Sequence, residues 1–191
     1  MQLLKDRIKK EGKVLPGQII KVDGFLNHRV DIRLMRAIAR EFGELFDTEG
    51  VTAVLTVEAS GIALGAICAE ELDVPLVFAK KSKSDNIEGG LYSCDIFSYT
   101  YKKKVTLLVS REWLGPQDKV LIVDDFLANG EALQGLIDIV DQAGAQLIGV
   151  GIAVEKGFQS GGERLREAGL PIRSLAIIDS ADENGIVLRE E

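Results

Sequence analysis

Apolar and polar positions repeat along this chain in two periods, one helical and one extended. Residues 1–10 place Leu4 and Ile8 on one helical face, and Gly12 stands where that helix should end. Asp31 suits an N-cap, and the stripe of Leu34, Ile38 and Leu45 predicts a second helix running to about Phe46. Residues 51–57 read as a buried strand, 61–72 as a helix and 75–79 as another strand, forming a βαβ unit whose crossover should be right-handed. Residues 80–92 turn polar and glycine-containing. Segments 92–100 and 105–110 then alternate around Lys102, Lys103 and Lys104, which predicts a flap hairpin inserted between core strands. Strand 120–123, helix 131–143, strand 147–154, a short helix at 161–168 and an apolar stretch at 172–178 complete the pattern. The order is α/β, with a mainly parallel central sheet flanked by helices.

Composition narrows the picture. A chain of 191 residues with no dividing linker or repeat reads as one domain over 1–191. Its 30 acidic against 23 basic residues leave a net charge of −7, and no long basic stretch is present, so nucleic acid is not an expected partner. The first ten residues mix charge with apolar side chains and lack the continuous apolar run of a signal peptide or membrane span. The expectation is a cytoplasmic protein with no membrane partner. Cys68 and Cys94 lack metal-ligand spacing and His28 is the one imidazole, so no protein-ligated metal is expected.

Chemistry concentrates after residues 120–123, where the apolar run Val120-Leu121-Ile122-Val123 ends in Asp124 and Asp125 and then in the small turn Ala128-Asn129-Gly130. Acids at the carboxyl end of a parallel strand stand where open α/β sheets bind ligands. The turn that follows can bring backbone N–H groups close to an anion at the start of a helix. Carboxylates for hydroxyls beside amides for a phosphate point to a ribose 5-phosphate; the plainer alternatives are strand-end acids facing solvent and an ordinary left-handed turn. Because Ala128, Gly130 and Ala132 carry no side-chain donor, main-chain amides would hold the phosphate. Glu131 should then turn its carboxylate away while its N–H points in. Glu58-Ala59-Ser60-Gly61 repeats the strand, small turn and helix order, which makes a second anion loop or a simple helix cap at Ser60. Lys80, Lys81 and Lys83 are candidate cations for a diphosphate, or a solvated face.

These motifs resemble the phosphoribosyl-diphosphate signature of the type I phosphoribosyltransferases. The wider chain is similar to the branch of that family that salvages xanthine, through Lys21-Val22-Asp23-Gly24-Phe25-Leu26-Asn27-His28, Val57-Glu58-Ala59-Ser60-Gly61-Ile62-Ala63, Asp124-Asp125-Phe126-Leu127-Ala128-Asn129-Gly130 and Val154-Glu155-Lys156-Gly157-Phe158-Gln159. The resemblance implies the type I phosphoribosyltransferase fold, with a flap hairpin and a small hood from about 1–30 and 155–191. It implies phosphoribosyl diphosphate and xanthine as substrates, Asp124 and Asp125 as catalytic acids, and Ala128, Asn129, Gly130, Glu131, Ala132, Ser60 and Gly61 as the phosphoribosyl-diphosphate site. Ile20, Asn27 and Lys156 are implied for xanthine, and Mg2+ held mainly by substrate and water; Phe25 or Phe158 is a candidate to stack on the purine, and either is equally a candidate for the core. A homodimer is implied as well, and the length and polarity of 81–104 suit a lid that keeps water from the sugar cation. Where many relatives carry a threonine-rich phosphate loop, this chain has Ala128, Asn129 and Glu131, so loop hydroxyl contacts do not carry over. The alternatives are another purine acceptor, such as guanine or hypoxanthine, and a non-catalytic sensor of phosphoribosyl diphosphate on the same fold.

Overall fold

A computed structural model describes residues 1–82, 90–98 and 103–190. Residues 83–89, 99–102 and 191, and with them Lys83, Lys102 and part of the lid expected over about 81–104, lie outside the described residues. The amino-terminal helix α1 (Gln2–Glu11) buries Leu4 and Ile8 completely, and Gly12 follows it as read from the pattern. A short hairpin comes next, β1 (Lys13–Leu15) paired antiparallel with β2 (Ile19–Lys21). In α2 (Ile32–Leu45), the Asp31 carboxylate accepts hydrogen bonds from the backbone of Arg33 and Leu34, which is the expected cap. The apolar stripe differs at its end. Leu34, Met35, Ile38, Ala39 and Phe42 are buried, while Leu45 is 43 % exposed because the helical rotation carries Phe42 to the sheet in its place.

The central sheet is built from β3 (Ala53–Val57), β4 (Leu76–Ala79), β7 (Lys119–Leu127), β8 (Gln146–Lys156), β9 (Ile172–Asp182) and β10 (Gly185–Leu188), in the order β10-β9-β8-β7-β3-β4. All neighbours run parallel except β10 with β9. Helix α3 (Ser60–Leu72) links β3 to β4, α4 (Glu131–Ala143) links β7 to β8, and α5 (Gly161–Glu167) links β8 to β9. The flap is an antiparallel hairpin of β5 (Leu91–Ser98) and β6 (Lys103–Ser110), as the alternation predicted.

Alternation along β7 shows how one strand serves two cores. Leu121 and Val123 join one apolar layer with Phe42, Ile38 and Leu64; Val120 and Ile122 join the other with Leu136 and Ile139. Two covered faces explain why the strand reads as a continuous apolar run. The chain moves from β3 outward to β4 and later returns to β7 on the opposite side of β3. The crevice beyond the carboxyl ends of β3 and β7 is therefore the sheet's topological switch point, the position where such folds take their ligands.

Candidate active site

The two loops that the sequence marks for anions both leave that switch point, one from β3 and one from β7. They meet across a cleft of about 300 Å³ lined by Asn27, Ser60, Lys81, Asp124, Asp125, residues 128–132 and part of the flap, including Phe97. Expected strand-end acids turn out to lie inside the ladder. β7 continues to Leu127 because β8 offers paired backbone as far as Leu127↔Glu155, and the acids are correspondingly buried, Asp124 to 6 % and Asp125 to 3 % exposure.

Asp125 is held from both sides. Asn27 Nδ2 donates to its Oδ2 at 2.6 Å and Ser60 Oγ donates to its Oδ1 at 2.9 Å. Asn27 sits on a turn fixed by the buried Phe25 and Leu26, with Arg29 N bonded to Asp23 O at 2.8 Å and Asp31 N to Phe25 O at 3.0 Å. Phe25 is therefore a core side chain, carrying the Arg7 guanidinium over its ring at 5.4 Å. Ser60 is the first residue of α3, follows the cis Glu58–Ala59 peptide and does not cap the helix through its side chain. Its hydroxyl serves Asp125 instead. Gly61 lies where any Cβ would collide with Thr56 Oγ1 and come within 2.8 Å of Asp124 Oδ1, so only glycine lets α3 start this close to β7.

Burial lifts the Asp124 carboxyl well above its ordinary pKa, the Asp125 charge pushes the same way, and Lys81 opposes both. Asp124 Oδ1 accepts the backbone N–H of Asp125 at 3.0 Å. Lys81 lines the cleft, and its backbone N–H donates to Glu58 Oε1 at 2.5 Å. Lys80 instead exchanges backbone hydrogen bonds with Leu108 of the flap hairpin.

Gly130 takes φ +84° at the head of α4, a left-handed conformation that suits glycine. The loop is supported from behind by α5. A Cβ on Gly161 would collide with the Ala128 carbonyl oxygen, and Arg164 Nη2 donates to Asn129 O at 3.2 Å. Glu131 is among the residues lining the cleft, and its carboxylate stands 4.0 Å from Arg164 Nη2 of α5, the helix that backs the loop. Gly161 and Arg164 were missed in the sequence because α5 carries no chemical motif; adjacent glycines opening a helix were the available signal.

Ile20 and Lys156 do not line this cleft. Ile20 is 8 % exposed on β2, and Lys156 ends β8 half-buried, its pKa lowered by burial. Beside Lys156, Glu155 is anchored by two hydrogen bonds from Arg166, at 2.8 and 2.5 Å, and one from Ser174. Burial pushes the Glu155 carboxyl up, but those hydrogen bonds together with the charges of Arg166 and Arg189 outweigh it and hold the pKa below the ordinary value. This cluster ties the end of β8 to α5 and β9. Cys68 is buried, with burial pushing its thiol up to about 12, and Cys94 is raised to about 11 by burial and by Asp138, so neither is an activated thiolate. Among the described residues no group of three or more His, Cys, Asp or Glu side chains is arranged to hold a metal, and no helix is long and apolar enough to cross a membrane.

Residues 26–167 match the model of the phosphoribosyl transferase domain. The xanthine phosphoribosyltransferase of Lachnoclostridium phytofermentans is 54 % identical over 191 residues, covering 99 % of this chain and 98 % of that protein. The enzyme of the same name from Ruminiclostridium cellulolyticum is 50 % identical, covering 97 % of each chain. Among solved structures, the adenine phosphoribosyltransferase of Giardia lamblia bound to 9-deazaadenine superposes with a TM-score of 0.76 at 25 % identity, covering 91 % of this chain and 96 % of that one. The Trypanosoma brucei enzyme in complex with AMP, pyrophosphate and ribose-5-phosphate gives 0.75 at 21 % identity, covering 91 % of this chain and 78 % of that one. This last likeness is one of fold.

Proposed function

We propose that this chain, which belongs to the phosphoribosyl transferase family, converts xanthine and phosphoribosyl diphosphate to xanthosine 5′-monophosphate and diphosphate. The observation that carries this reading is the meeting of Ser60, Asp125 and the 128–132 loop at one switch point, beside Asn27. Xanthine as the acceptor follows from the relatives at 54 % and 50 % identity. In the reaction a purine nitrogen bonds to ribose C1, the bond from C1 to the diphosphate oxygen breaks, and the purine gives up its N–H proton. Positive charge develops on the sugar while negative charge leaves with diphosphate.

Asp124 and Asp125 accept the ribose hydroxyls, and their charge favours the cationic transition state. The amides of residues 128–132 take the 5-phosphate at the head of α4. Ser60, Gly61 and the Lys81 ammonium face the diphosphate, while Asn27, the Ile20 backbone and Lys156 serve xanthine from the base side, where segments 1–30 and 155–191 form a hood. For Lys156 this requires the hood to approach the cleft when substrate is bound. Among the described residues no three acidic side chains are grouped to hold a metal, so Mg2+ fits as an ion carried on substrate oxygens and water beside Asp124 and Asp125. When bound, it would neutralise the diphosphate charge. The flap hairpin limits water access to the sugar cation, and the protein works as a cytoplasmic homodimer.

The test is stoichiometric. Purified protein with phosphoribosyl diphosphate, Mg2+ and xanthine should release diphosphate in step with xanthosine 5′-monophosphate. Diphosphate release without nucleotide would mark a hydrolase, and binding of phosphoribosyl diphosphate with neither product would mark a sensor.

A further inference from the structure

The Asp125 carboxylate joins three segments that lie far apart in sequence: its partners Asn27 and Ser60 are 98 and 65 residues away. We propose that Asn27 is a positioning residue for Asp125, so that the amide assigned to the base also sets the affinity for phosphoribosyl diphosphate. This rests on the transferase reading above. Several observations carry it. Asp125 is 3 % exposed, so its orientation is decided by protein partners rather than by water. Beside it stands Asp124, also buried, whose carboxylate would repel that of Asp125, and the donors on Asp125 decide which way its oxygens point.

The donors are Asn27 Nδ2 at 2.6 Å and Ser60 Oγ at 2.9 Å, one on each oxygen. The amide nitrogen of Asn27 is the donor and the Asp125 oxygen the acceptor in this contact. Each carboxylate oxygen has two lone-pair directions, so holding Asp125 in this way leaves acceptor capacity for the ribose hydroxyls. Likewise Asn27 keeps its second N–H and its Oδ1 for a purine edge. One side chain therefore spans the base and the sugar, and the turn at residues 23–29 that carries it is itself pinned to the core through Phe25 and Leu26. Sugar and base subsites are linked through this one side chain.

The experiment measures binding of phosphoribosyl diphosphate with Mg2+ and no base, by calorimetry, in the wild type, Asn27→Ala and Asn27→Asp. Loss of one charge-assisted hydrogen bond should weaken donor binding about tenfold in Asn27→Ala. Asn27→Asp keeps the size but sets a carboxylate against Asp125, and it should bind the donor more weakly still. A residue that merely fills space would give the reverse order, the isosteric aspartate being the milder change. Should the alanine variant not fold, Asn27→Ser gives the same reading, because its hydroxyl is too short to reach Asp125 Oδ2. Unchanged donor affinity with a raised KM for xanthine would confine Asn27 to the base and overturn the proposal. Tighter donor binding would overturn it too, by showing that Asn27 competes with the sugar for Asp125. Failure of the wild-type protein to bind phosphoribosyl diphosphate would instead remove the transferase reading.

Discussion

Burial leaves Asp124 only 6 % exposed and lifts its pKa well above the ordinary carboxylate value, with the Asp125 charge pushing in the same direction. The folded chain therefore holds this proton more tightly than the unfolded chain does. Its contribution to stability is complete below the ordinary value of 3.8 and is lost as pH rises through the higher folded value. Asp124→Asn keeps an oxygen that can accept the Asp125 N–H and removes the buried charge. It should raise the melting midpoint at neutral pH by about 3 °C, with the gain shrinking as pH falls toward the ordinary carboxylate range. The same variant should lose transfer activity by about a hundredfold, since the carboxylate no longer faces the developing cation. Calorimetric melting across pH with steady-state rates checks both halves, and a variant that melts lower at neutral pH would contradict the assignment of Asp124 as a functional group kept at a cost to stability.

The turn between β7 and α4 acts as one element, and its energetics rest on backbone shape more than on side-chain chemistry. Gly130 combines φ +84° with a neighbour, Leu165 Cδ1, that a Cβ would approach to 2.9 Å. Glu131 is partly exposed and already paired at 4.0 Å with Arg164, an arrangement worth little by itself. Gly130→Val should therefore raise KM for phosphoribosyl diphosphate by more than about tenfold, while Glu131→Gln should change it by less than about threefold. Steady-state kinetics with the donor varied gives the ranking, and the reverse order would mean that side chains rather than amides hold the phosphate. This element was readable in the sequence because a two-sided apolar strand, paired acids and a glycine turn each leave a local mark. Helices α2 and α4 were readable through their period. Strands β1, β2 and β10 were not, since, unlike the equally short β4, which a helix precedes in a βαβ unit, they form by antiparallel pairing with a neighbour and carry no local mark. The extension of β7 past its acids was hidden for the same reason: it depends on how far β8 runs alongside. The support of the turn at 128–130 by Gly161 and Arg164 joins parts of the chain that no local pattern connects.

At the scale of the whole molecule, sheet order explains why separated motifs become one site. Reversal of strand order between β4-β3 and β7-β8 opens a crevice, and the loops after β3 and β7 both enter it. Charged groups concentrate there between two apolar layers, while the rest of the sheet is sealed by α2 and α3 on one face and α4 on the other. On the proposed reading the donor occupies this crevice and the acceptor meets Asn27 at its wall, with Ile20 and Lys156 on segments outside it, and base choice is the claim that competition tests most directly. Xanthine, guanine, hypoxanthine and adenine supplied together at equal concentration, with limiting phosphoribosyl diphosphate and Mg2+, compete in proportion to kcat/KM. The nucleotides formed are then resolved by mass. Xanthosine 5′-monophosphate should dominate the products; predominance of guanosine, inosine or adenosine monophosphate, or no nucleotide at all, would contradict the assignment.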